Sequence, residues 1–532
     1  MSEKLKVLIA DNLAEEGVKI LEESGLFEVD ARKKTPREEL LEIIKDYDGL
    51  IIRSASKVNE EVLEKAAKLK VVIRAGVGVD NIDIPACSNK GVVVMNAPAG
   101  NSISTAEQAI ALMFSLARKT HVADASVKRA AWEKSKFTGT QLTGKTMGVI
   151  GLGRIGKEVV SRAKGLQMKV LGFDPFIPKE ALEYLQIDLV EVNQILQEAD
   201  FISVHTPLTD QTRGLIRKEN LNQLKKGVRL INCARGGIYD EDALAEGIDN
   251  GIIGGVGLDV FLQEPLPEEF KLREYDQAVL TPHLGASTEE AQLEVAKETA
   301  SSMVEFFKSG VAINSLNFPT LDPKQMDSLS PWFSLSESVG SFAAQVLKGA
   351  PESINLDFEG KINEFNLKPL QVAAAKGVLS PIYGEEVNLV NAPLLLEEKN
   401  IKLQVNKKEQ PENSDSILTF TLTGSEDKVK IKAAVTVSGP VILAIDSFSV
   451  EVKPIGTMLY IKNKDVPKVV AELTRQLGEE NVNIASLQLA RKEKGGDVLT
   501  LIQVDEKVSD TVLEKMQGYE FVNLVKQLSL AE

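Results

Sequence analysis

The chain has 532 residues, of which 43% are hydrophobic and 26% charged, as in a globular protein long enough for three or four domains. Its net charge of -15 argues against nucleic acid or an anionic membrane as the main partner, because both attract basic surfaces. Two cysteines, Cys87 and Cys233, cannot supply a disulfide framework, and no signal peptide or membrane-spanning run is evident. We therefore expect a cytoplasmic protein, and we predict no metal site.

The first hundred residues alternate short apolar runs with amphipathic segments. The runs that predict strands are KVLIAD, FEVDA, GLIIRS, KVVIRAG and GVVVMN. This alternation is typical of a parallel sheet with helices on both faces, and no glycine-rich phosphate motif interrupts it.

A long helix is predicted from Ser102 to about Trp132, and a second alternation of strands and helices follows it. Its strands are KTMGVIGLG, KVLGFD, FISVHTP, GVRLINCA, GGVGLDV and AVLTPHLG. A further helix is predicted at Thr288–Ser309. In open parallel sheets ligands bind at the carboxyl ends of the strands, so the loops that follow these runs are the candidate site.

The character of the sequence changes after Phe318-Pro319. Residues 320–452 mix helix and strand patterns, and KKEQPENSDS is predicted to be disordered or a hairpin tip. The last ~80 residues read as strand–helix–strand–strand–helix, which is a small α+β unit.

A glycine motif opens the second alternation. Gly151, Gly153 and Gly156 form G-x-G-x-x-G directly after a strand and at the start of a helix, where backbone N–H groups can bind a pyrophosphate. Asp174 ends the next strand, where its carboxylate would accept hydrogen bonds from a ribose and repel a 2′-phosphate. The motif thus favours NAD over NADP. The alternative is a glycine-rich turn required only by packing, with a surface aspartate.

Three polar residues at successive strand ends suit hydride exchange at a 2-hydroxy acid. Arg235 in NCARGG would bind the substrate carboxylate, and His283 in PHLGAST would exchange the hydroxyl proton. Glu264 would orient the imidazole and stabilise its charged form. Taken singly, each could be an ordinary surface or structural residue. His205 is interpreted as structural or near the cofactor, and His121 as a packing or surface residue.

These motifs, with RAGVGVDN and NAPAGNS upstream, resemble the D-isomer-specific 2-hydroxyacid dehydrogenases. The resemblance implies a discontinuous substrate domain, 1–98 plus 288–318, with a Rossmann-type NAD-binding domain, 99–287, inserted in it. Both domains would be doubly wound parallel α/β sheets. It also implies that Arg235, Glu264 and His283 are catalytic. The further residues implied at the NAD site are Arg154, Ile155, Thr206, Cys233, Ala234, Asp259, Gly285 and Ala286.

Motifs in the rest of the chain indicate a more specific resemblance within this family. VNLVNAPLLLEEKNIKL resembles the intervening domain of the long-form D-3-phosphoglycerate dehydrogenases, and NKDVPKVVAELTRQLGEENVNIAS resembles an ACT domain. We therefore expect an α+β intervening regulatory domain at 319–452 and a ferredoxin-like ACT domain at 453–532. The implied substrate is 3-phosphoglycerate, in the first step of L-serine biosynthesis. Alternatives are a dehydrogenase of another D-2-hydroxy acid and an NAD-sensing corepressor that binds peptides.

Local charge in the first domain supports a phosphorylated substrate. Arg53 and Arg74 follow strands and could bind a phosphate, although either could be ordinary surface charge. Backbone N–H groups at Gly76 and Val77 could bind the carboxylate. Asn101 and Ser102 could add polar contacts nearby.

The ACT resemblance implies an amino-acid effector, and L-serine is the hypothesis. The matching polar positions are Asn463, Asp465 and Asn483. The family's D-x-P-G has Lys468 in place of glycine, and a lysine there could block a close backbone approach. The alternative is an ACT unit that serves only in assembly, within a homodimer or homotetramer.

Overall fold

The five apolar runs of the first hundred residues form the first sheet. A computed structural model describes residues 4–318, 325–384, 386–408 and 416–531. The strands of this sheet are β1 (Leu5–Ile9), β2 (Phe27–Ala31), β3 (Gly49–Ile52), β4 (Val71–Arg74) and β5 (Val93–Asn96). They pair in parallel, as predicted, and lie in the order β2-β1-β3-β4-β5. The helices between them are α1 (Glu15–Glu23), α2 (Arg37–Ile43), α3 (Glu60–Lys65) and α4 (Ile84–Asn89).

Two helices occupy the segment for which one was predicted. They are α5 (Ser102–Arg118) and α6 (Thr120–Lys128). Lys119 between them has φ 52°, a left-handed conformation that ends a helix. Thr120 and His121 bond back to the Ser115 hydroxyl at 3.1 and 3.3 Å. The prediction of one continuous helix was wrong, because the apolar period continues across the break.

The second alternation forms a seven-stranded parallel sheet. Its strands are β6 (Thr146–Ile150), β7 (Lys169–Phe173), β8 (Asp188–Leu189), β9 (Phe201–Val204), β10 (Val228–Asn232), β11 (Ile253–Leu258) and β12 (Ala278–Leu280). Its helices are α7 (Arg154–Gly165), α8 (Val192–Glu198) and α9 (Glu241–Asp249). The order β12-β11-β10-β9-β6-β7-β8 reverses direction at β6, and a ligand crevice is expected at this switch point. The predicted Rossmann-type topology is confirmed.

The chain then returns to the first sheet. Helix α10 (Glu289–Ser309) begins at Thr288, whose hydroxyl accepts a hydrogen bond from Ala291 N, and it packs on α1. After it, Leu316 N donates to Val94 O of β5 at 2.9 Å. The second sheet is therefore inserted between two parts of the first unit, as expected.

A mixed sheet with two layers of helix follows. The helices are α11 (Met326–Val346), α12 (Lys368–Tyr383) and α13 (Ala392–Glu398). The strands are β13 (Pro351–Glu359), β14 (Lys402–Lys408), β15 (Ile417–Gly424), β16 (Lys428–Thr436), β17 (Gly439–Ile445) and β18 (Phe448–Val452). They lie in the order β14-β13-β15-β16-β17-β18. Most of the predicted loop KKEQPENSDS, residues 409–415, lies outside the described residues.

The last unit is a four-stranded antiparallel sheet with two helices on one face. Its elements are β19 (Gly456–Lys464), α14 (Val469–Glu479), β20 (Ile484–Arg491), β21 (Asp497–Val504), α15 (Asp510–Gln517) and β22 (Val522–Leu530). The order β20-β21-β19-β22 is ferredoxin-like, as expected for an ACT domain. The sequence pattern of this segment did not predict β22. Within the described residues no helix is long and apolar enough to cross a membrane.

The open face of the ACT sheet packs on α11, so the last two units share one hydrophobic core. The rings of Tyr460 and Phe342 meet edge to face with centroids 6.0 Å apart. Lys526 Nζ donates to Gln345 O and Val346 O at 2.9 and 3.0 Å and so binds carbonyls at the carboxyl end of α11. Burial lowers the pKa of Lys526.

The Tyr460 hydroxyl is buried and has no hydrogen-bond partner among the described residues. We expect Tyr460→Phe to raise the free energy of unfolding by roughly 1 kcal/mol, because the substitution removes an unpaired buried polar group and keeps the ring. Tyr239→Phe is the matched control, since its hydroxyl donates to Ile231 O at 3.2 Å. Calorimetric unfolding should show a higher midpoint for Tyr460→Phe and a lower one for Tyr239→Phe. A lower midpoint for both would contradict the prediction.

Candidate active site

A cavity of about 1250 Å³ lies between the first and second sheets. Loops at the carboxyl ends of strands from both sheets line it. The first sheet contributes Arg53, Arg74, Gly76, Val77 and Gly78, and the second contributes Ile155, Thr206, Cys233, Ala234, Arg235, Glu264 and His283. The structure therefore brings the three predicted reacting groups and both phosphate-binding candidates into one space.

His283 and Glu264 form a hydrogen-bonded pair in this cavity. Nδ1 of His283 lies 2.7 Å from Oε2 of Glu264, and Oε1 of Glu264 accepts from Phe261 N at 3.0 Å. Burial opposes ionisation of Glu264, but the hydrogen bonds from His283 and the Phe261 N–H outweigh it and lower the pKa of this carboxyl. A charged carboxylate thus fixes the ring through Nδ1. Nε2 is then the nitrogen available to exchange a proton with a ligand.

Arg235 reaches from the second sheet to the first. Its Nε forms an ion pair with Oδ2 of Asp80 at 2.9 Å, and its Nη1 donates to Ala234 O at 2.6 Å. A Cβ at Gly78 would lie 1.8 Å from Nη2 of Arg235, so a side chain at this position would displace the guanidinium. Asp80 was not among the predicted site residues. The acid in GVGVDN, in the loop that follows β4, was the signal that could have identified it.

Arg74 is a largely buried cation in the wall of the cavity. Its Nε has no hydrogen-bond partner among the described residues. Burial lowers the pKa of Arg74 to about 10, and the positive charge of Arg235 acts in the same direction. The guanidinium is therefore still protonated at neutral pH. The carboxylates of Asp80 and Asp11 act in the opposite direction, but Arg74 forms no ion pair within the described part of the chain. A bound anion would supply a direct partner.

The remaining candidates for substrate binding are Asn101, Arg53 and Ser102, and they do not all line the cavity. Asn101 is buried and lines the cavity, and its Oδ1 has no partner among the residues that the structure describes. Arg53 is anchored through its backbone, because its N–H donates to Asp11 Oδ2 at 2.6 Å. Ser102 lies outside the cavity lining, and its hydroxyl donates to Pro98 O at 3.4 Å.

The glycine turn has the geometry that a dinucleotide requires. Gly151 has φ 92°, and a Cβ there would lie 2.5 Å from His205 O. A Cβ at Gly156 would lie 1.9 Å from Gly151 O, whereas nothing lies within 4 Å of one at Gly153. Gly151 and Gly156 are therefore needed for packing, and Gly153 leaves the amino end of α7 open to a pyrophosphate.

Asp174 lies beside this turn at the end of β7. Its Oδ2 accepts from Leu152 N at 2.8 Å, and its Oδ1 accepts from Phe176 N at 2.9 Å. The carboxylate is thus held at the edge of the glycine turn, where ribose hydroxyls of a bound dinucleotide would meet it.

The other cofactor candidates lie in several places. Ile155, Thr206, Cys233, Ala234, Gly285 and Ala286 line the cavity. Arg154 is the first residue of α7. Asp259 is fully buried and bonds to the loop that carries His283, and it does not line the cavity. His205 lines the cavity but is buried, and burial lowers its pKa to about 4, so it is neutral.

His121 has a packing role, since its Nε2 lies 2.9 Å from Asp276 O.

The ACT candidates do not form one site within the chain. Asn463 and Asp465 line a small cavity of about 270 Å³ with Lys468, which has φ 76°. Asp465 pairs with Arg491 at 3.1 Å. Asn463 pairs with Val498 on β21, whereas Ile484, next to Asn483, pairs with Val504. Six residues of strand, ~20 Å, therefore separate Asn483 from the other two.

Comparison with known proteins agrees with this geometry. Three family models match: the NAD-binding domain of D-isomer specific 2-hydroxyacid dehydrogenases over residues 110–285, the D-3-phosphoglycerate dehydrogenase intervening domain over 328–446, and the ACT domain over 457–521. D-3-phosphoglycerate dehydrogenase of Methanocaldococcus jannaschii is 41% identical, over 99% of this chain and 100% of the relative. The chain belongs to the D-3-phosphoglycerate dehydrogenase family.

Other relatives extend this similarity. D-3-phosphoglycerate dehydrogenase of Synechocystis is 39% identical over 96% of this chain and 92% of the relative. Among solved structures, the apo form of D-lactate dehydrogenase from Escherichia coli matches with a TM-score of 0.53 and 28% identity, covering 59% of this chain and 100% of that one. NAD is the cofactor of this family's dinucleotide domain, and the open glycine turn and Asp174 fit it.

Proposed function

We propose that the chain catalyses the NAD-dependent, reversible oxidation of 3-phospho-D-glycerate to 3-phosphohydroxypyruvate, the first step of L-serine biosynthesis. The observation that carries the proposal is the convergence of the His283–Glu264 pair and Arg235 in one cavity with the buried cation Arg74. A proton acceptor, a carboxylate-binding group and an unpaired cation are what a phosphorylated 2-hydroxy acid requires. The names of the aligned relatives specify the same substrate.

In this proposal the residues of the two cavity walls have different roles. Arg235, paired with Asp80, and the backbone N–H group of Val77 bind the substrate carboxylate. The N–H group of Gly76, also predicted to bind it, instead donates to Arg74 O at 2.8 Å. His283 Nε2 accepts the hydroxyl proton during oxidation and returns it in the reverse reaction. Glu264 stabilises the imidazolium that forms.

The phosphate and the cofactor occupy opposite parts of the cavity. Arg74 and Arg53 bind the 3-phosphate, and Asn101 adds a polar contact. Bound NAD would supply the hydride acceptor for C2 of the substrate. The residues that would hold it are Gly151, Gly153, Arg154, Ile155, Gly156, Asp174, Thr206, Cys233, Ala234, Gly285 and Ala286. Asp259 is left out, because it is fully buried and bonds to the loop that carries His283. Ser102 is left out of the proposed substrate contacts, because its hydroxyl is directed to Pro98 O.

His283→Asn should lower kcat by about 1,000-fold or more, and Glu264→Gln by about 10–100-fold, because the first removes the proton acceptor and the second its charged partner. The rate of NADH formation from 3-phosphoglycerate measures this. NADH binding, followed by fluorescence, should be retained in both variants. His121→Asn is the matched control and should be fully active. Unchanged kcat in His283→Asn would contradict the assignment.

Arg74→Met should lower kcat/KM for 3-phosphoglycerate by about 100-fold, because charge-assisted hydrogen bonds to the phosphate are lost. Any turnover of D-lactate or D-2-hydroxyglutarate should change by less than about threefold. Arg37→Met, on the same domain but outside the cavity, is the control. An equal loss on all substrates would show that Arg74 has no role in phosphate selection. Absence of turnover on every substrate would favour the peptide-binding alternative.

We also propose the organisation of the whole molecule. The domains are 1–98 plus 288–318 for substrate, 99–287 for NAD, 319–452 for the intervening unit and 453–532 for ACT. The returning strand contact at Leu316 and the inserted second sheet support the first two boundaries. The protein is cytoplasmic and assembles as a homodimer or homotetramer, for which the exposed apolar side chains of Ile103, Val127 and Trp132 offer a surface.

L-Serine is proposed as an effector of the ACT domain, at the cavity that Asn463 and Asp465 line. Lys468 has a left-handed backbone there, the conformation in which a glycine is least strained. Because Asn483 is distant within the chain, it would reach this cavity only from a second copy in the assembly.

Serine should bind weakly to the protein, and Lys468→Gly should tighten binding about tenfold or more by opening the approach to the backbone. Titration calorimetry of the full chain measures both affinities. Lys453→Gly, a substitution at an exposed position before β19 and outside the cavity lining, is the control and should leave the affinity unchanged. No heat of binding in either the original or the Lys468→Gly protein at millimolar serine would refute the effector assignment.

A further inference from the structure

The loop that carries His283 is held by helix α5. Gln108 Nε2 donates to Thr281 Oγ1 at 3.0 Å, and Thr105 Oγ1 donates to Gly285 O at 3.2 Å. Ser104 Oγ lies 2.8 Å from Thr288 Oγ1. Residues 104, 105 and 108 lie on one face of the helix, so α5 contacts this loop at both of its ends.

Only one assignment of donors and acceptors fits the hydrogen bonds around Thr281. Asp259 is fully buried, and its Oδ1 accepts from Thr281 Oγ1 at 2.6 Å. Because a carboxylate only accepts, the hydroxyl proton of Thr281 points to Asp259, and its oxygen is left to accept from Gln108. The amide nitrogen of Gln108, rather than its oxygen, must therefore face the loop. An ordered chain runs from Gln108 through Thr281 to Asp259.

Asp259 also binds the other side of His283. Its Oδ1 accepts from Leu284 N and its Oδ2 from Gly285 N, both at 2.7 Å. His283 between these contacts has φ 57°, a left-handed conformation that residues other than glycine rarely adopt. The contacts on both sides thus hold the backbone that directs the imidazole to Glu264.

Helix α5 is itself held on the second sheet. A Cβ at Gly257 of β11 would lie 3.0 Å from Cβ of Leu112, so helix and strand pack closely. Gln108 is half-buried at this junction and does not line the cavity. Its amide can therefore act on the reaction only through the loop.

We propose that Gln108 is a positioning residue that acts through Thr281 and Asp259 to keep His283 aligned with Glu264. The inference rests on the proposed function, because its kinetic effect passes through His283. Gln108 contacts neither substrate nor cofactor. Its removal should thus affect the chemical step and leave binding intact.

The test compares Gln108→Leu and Thr281→Val, which remove the amide and the hydroxyl, with Thr281→Ser, which keeps the hydroxyl. Glu107→Gln is the control on the same helix, because Glu107 is exposed and pairs with Arg162. Gln108→Leu and Thr281→Val should lower kcat about tenfold, with KM for both substrates within about threefold. Thr281→Ser and Glu107→Gln should match the original protein.

Amide hydrogen exchange gives a readout that does not depend on turnover. In the cofactor-free protein, exchange at Leu284 and Gly285 should be faster in Gln108→Leu and Thr281→Val and unchanged in the control. Unchanged exchange and kcat in Gln108→Leu would overturn the inference, as would a rise in KM equal to the loss in kcat. If the original protein oxidises no hydroxy acid, the proposed function fails, while the exchange data still decide whether Gln108 holds the loop.

Discussion

The ion pair between Arg235 and Asp80 joins the two sheets across the cavity. Each partner follows a strand of a different sheet, so the pair forms only when both sheets present their carboxyl ends to the same space. The insertion of the second sheet between β5 and α10 produces this arrangement, because the chain crosses between the sheets twice at neighbouring points. Arg235, Glu264 and His283 of the second sheet then line the same cavity as Arg53 and Arg74 of the first.

The cavity concentrates positive charge in an acidic protein. The chain carries a net charge of -15, yet Arg53, Arg74 and Arg235 line the same space. Burial and the charge of Arg235 lower the pKa of Arg74 to about 10, while Asp80 and Asp11 oppose this shift. In the proposed function, an anionic substrate would offset the repulsion among these arginines. The acidic exterior does not oppose this, because exposed charges beyond a Debye length are screened.

The sequence predicted those features that local chemistry determines. The glycine turn, Asp174 and the strand-end positions of Arg235, Glu264 and His283 follow from short motifs, each in its own loop. Features that depend on distant partners were missed. Asp80 becomes recognisable only when Arg235 lies beside it, and the break at Lys119 leaves the apolar period of α5 and α6 unchanged. The separation of Asn483 from Asn463 follows from the antiparallel register of β20 and β21, which the linear order of residues does not reveal.

The last two units share one hydrophobic core, and together they contact the domain of the first sheet. Because Tyr460 packs on Phe342 and Lys526 binds the end of α11, the ACT sheet cannot shift without moving α11. The intervening unit also contacts the domain of the first sheet. Asn388 Nδ2 donates to Gly91 O at 3.1 Å, and Val390 joins the core beneath β5. Gly91 lies just before β5, the last strand before the chain crosses to the second sheet. The intervening unit, on which the ACT sheet packs, therefore contacts the first domain beside the strand from which the chain crosses to the second sheet.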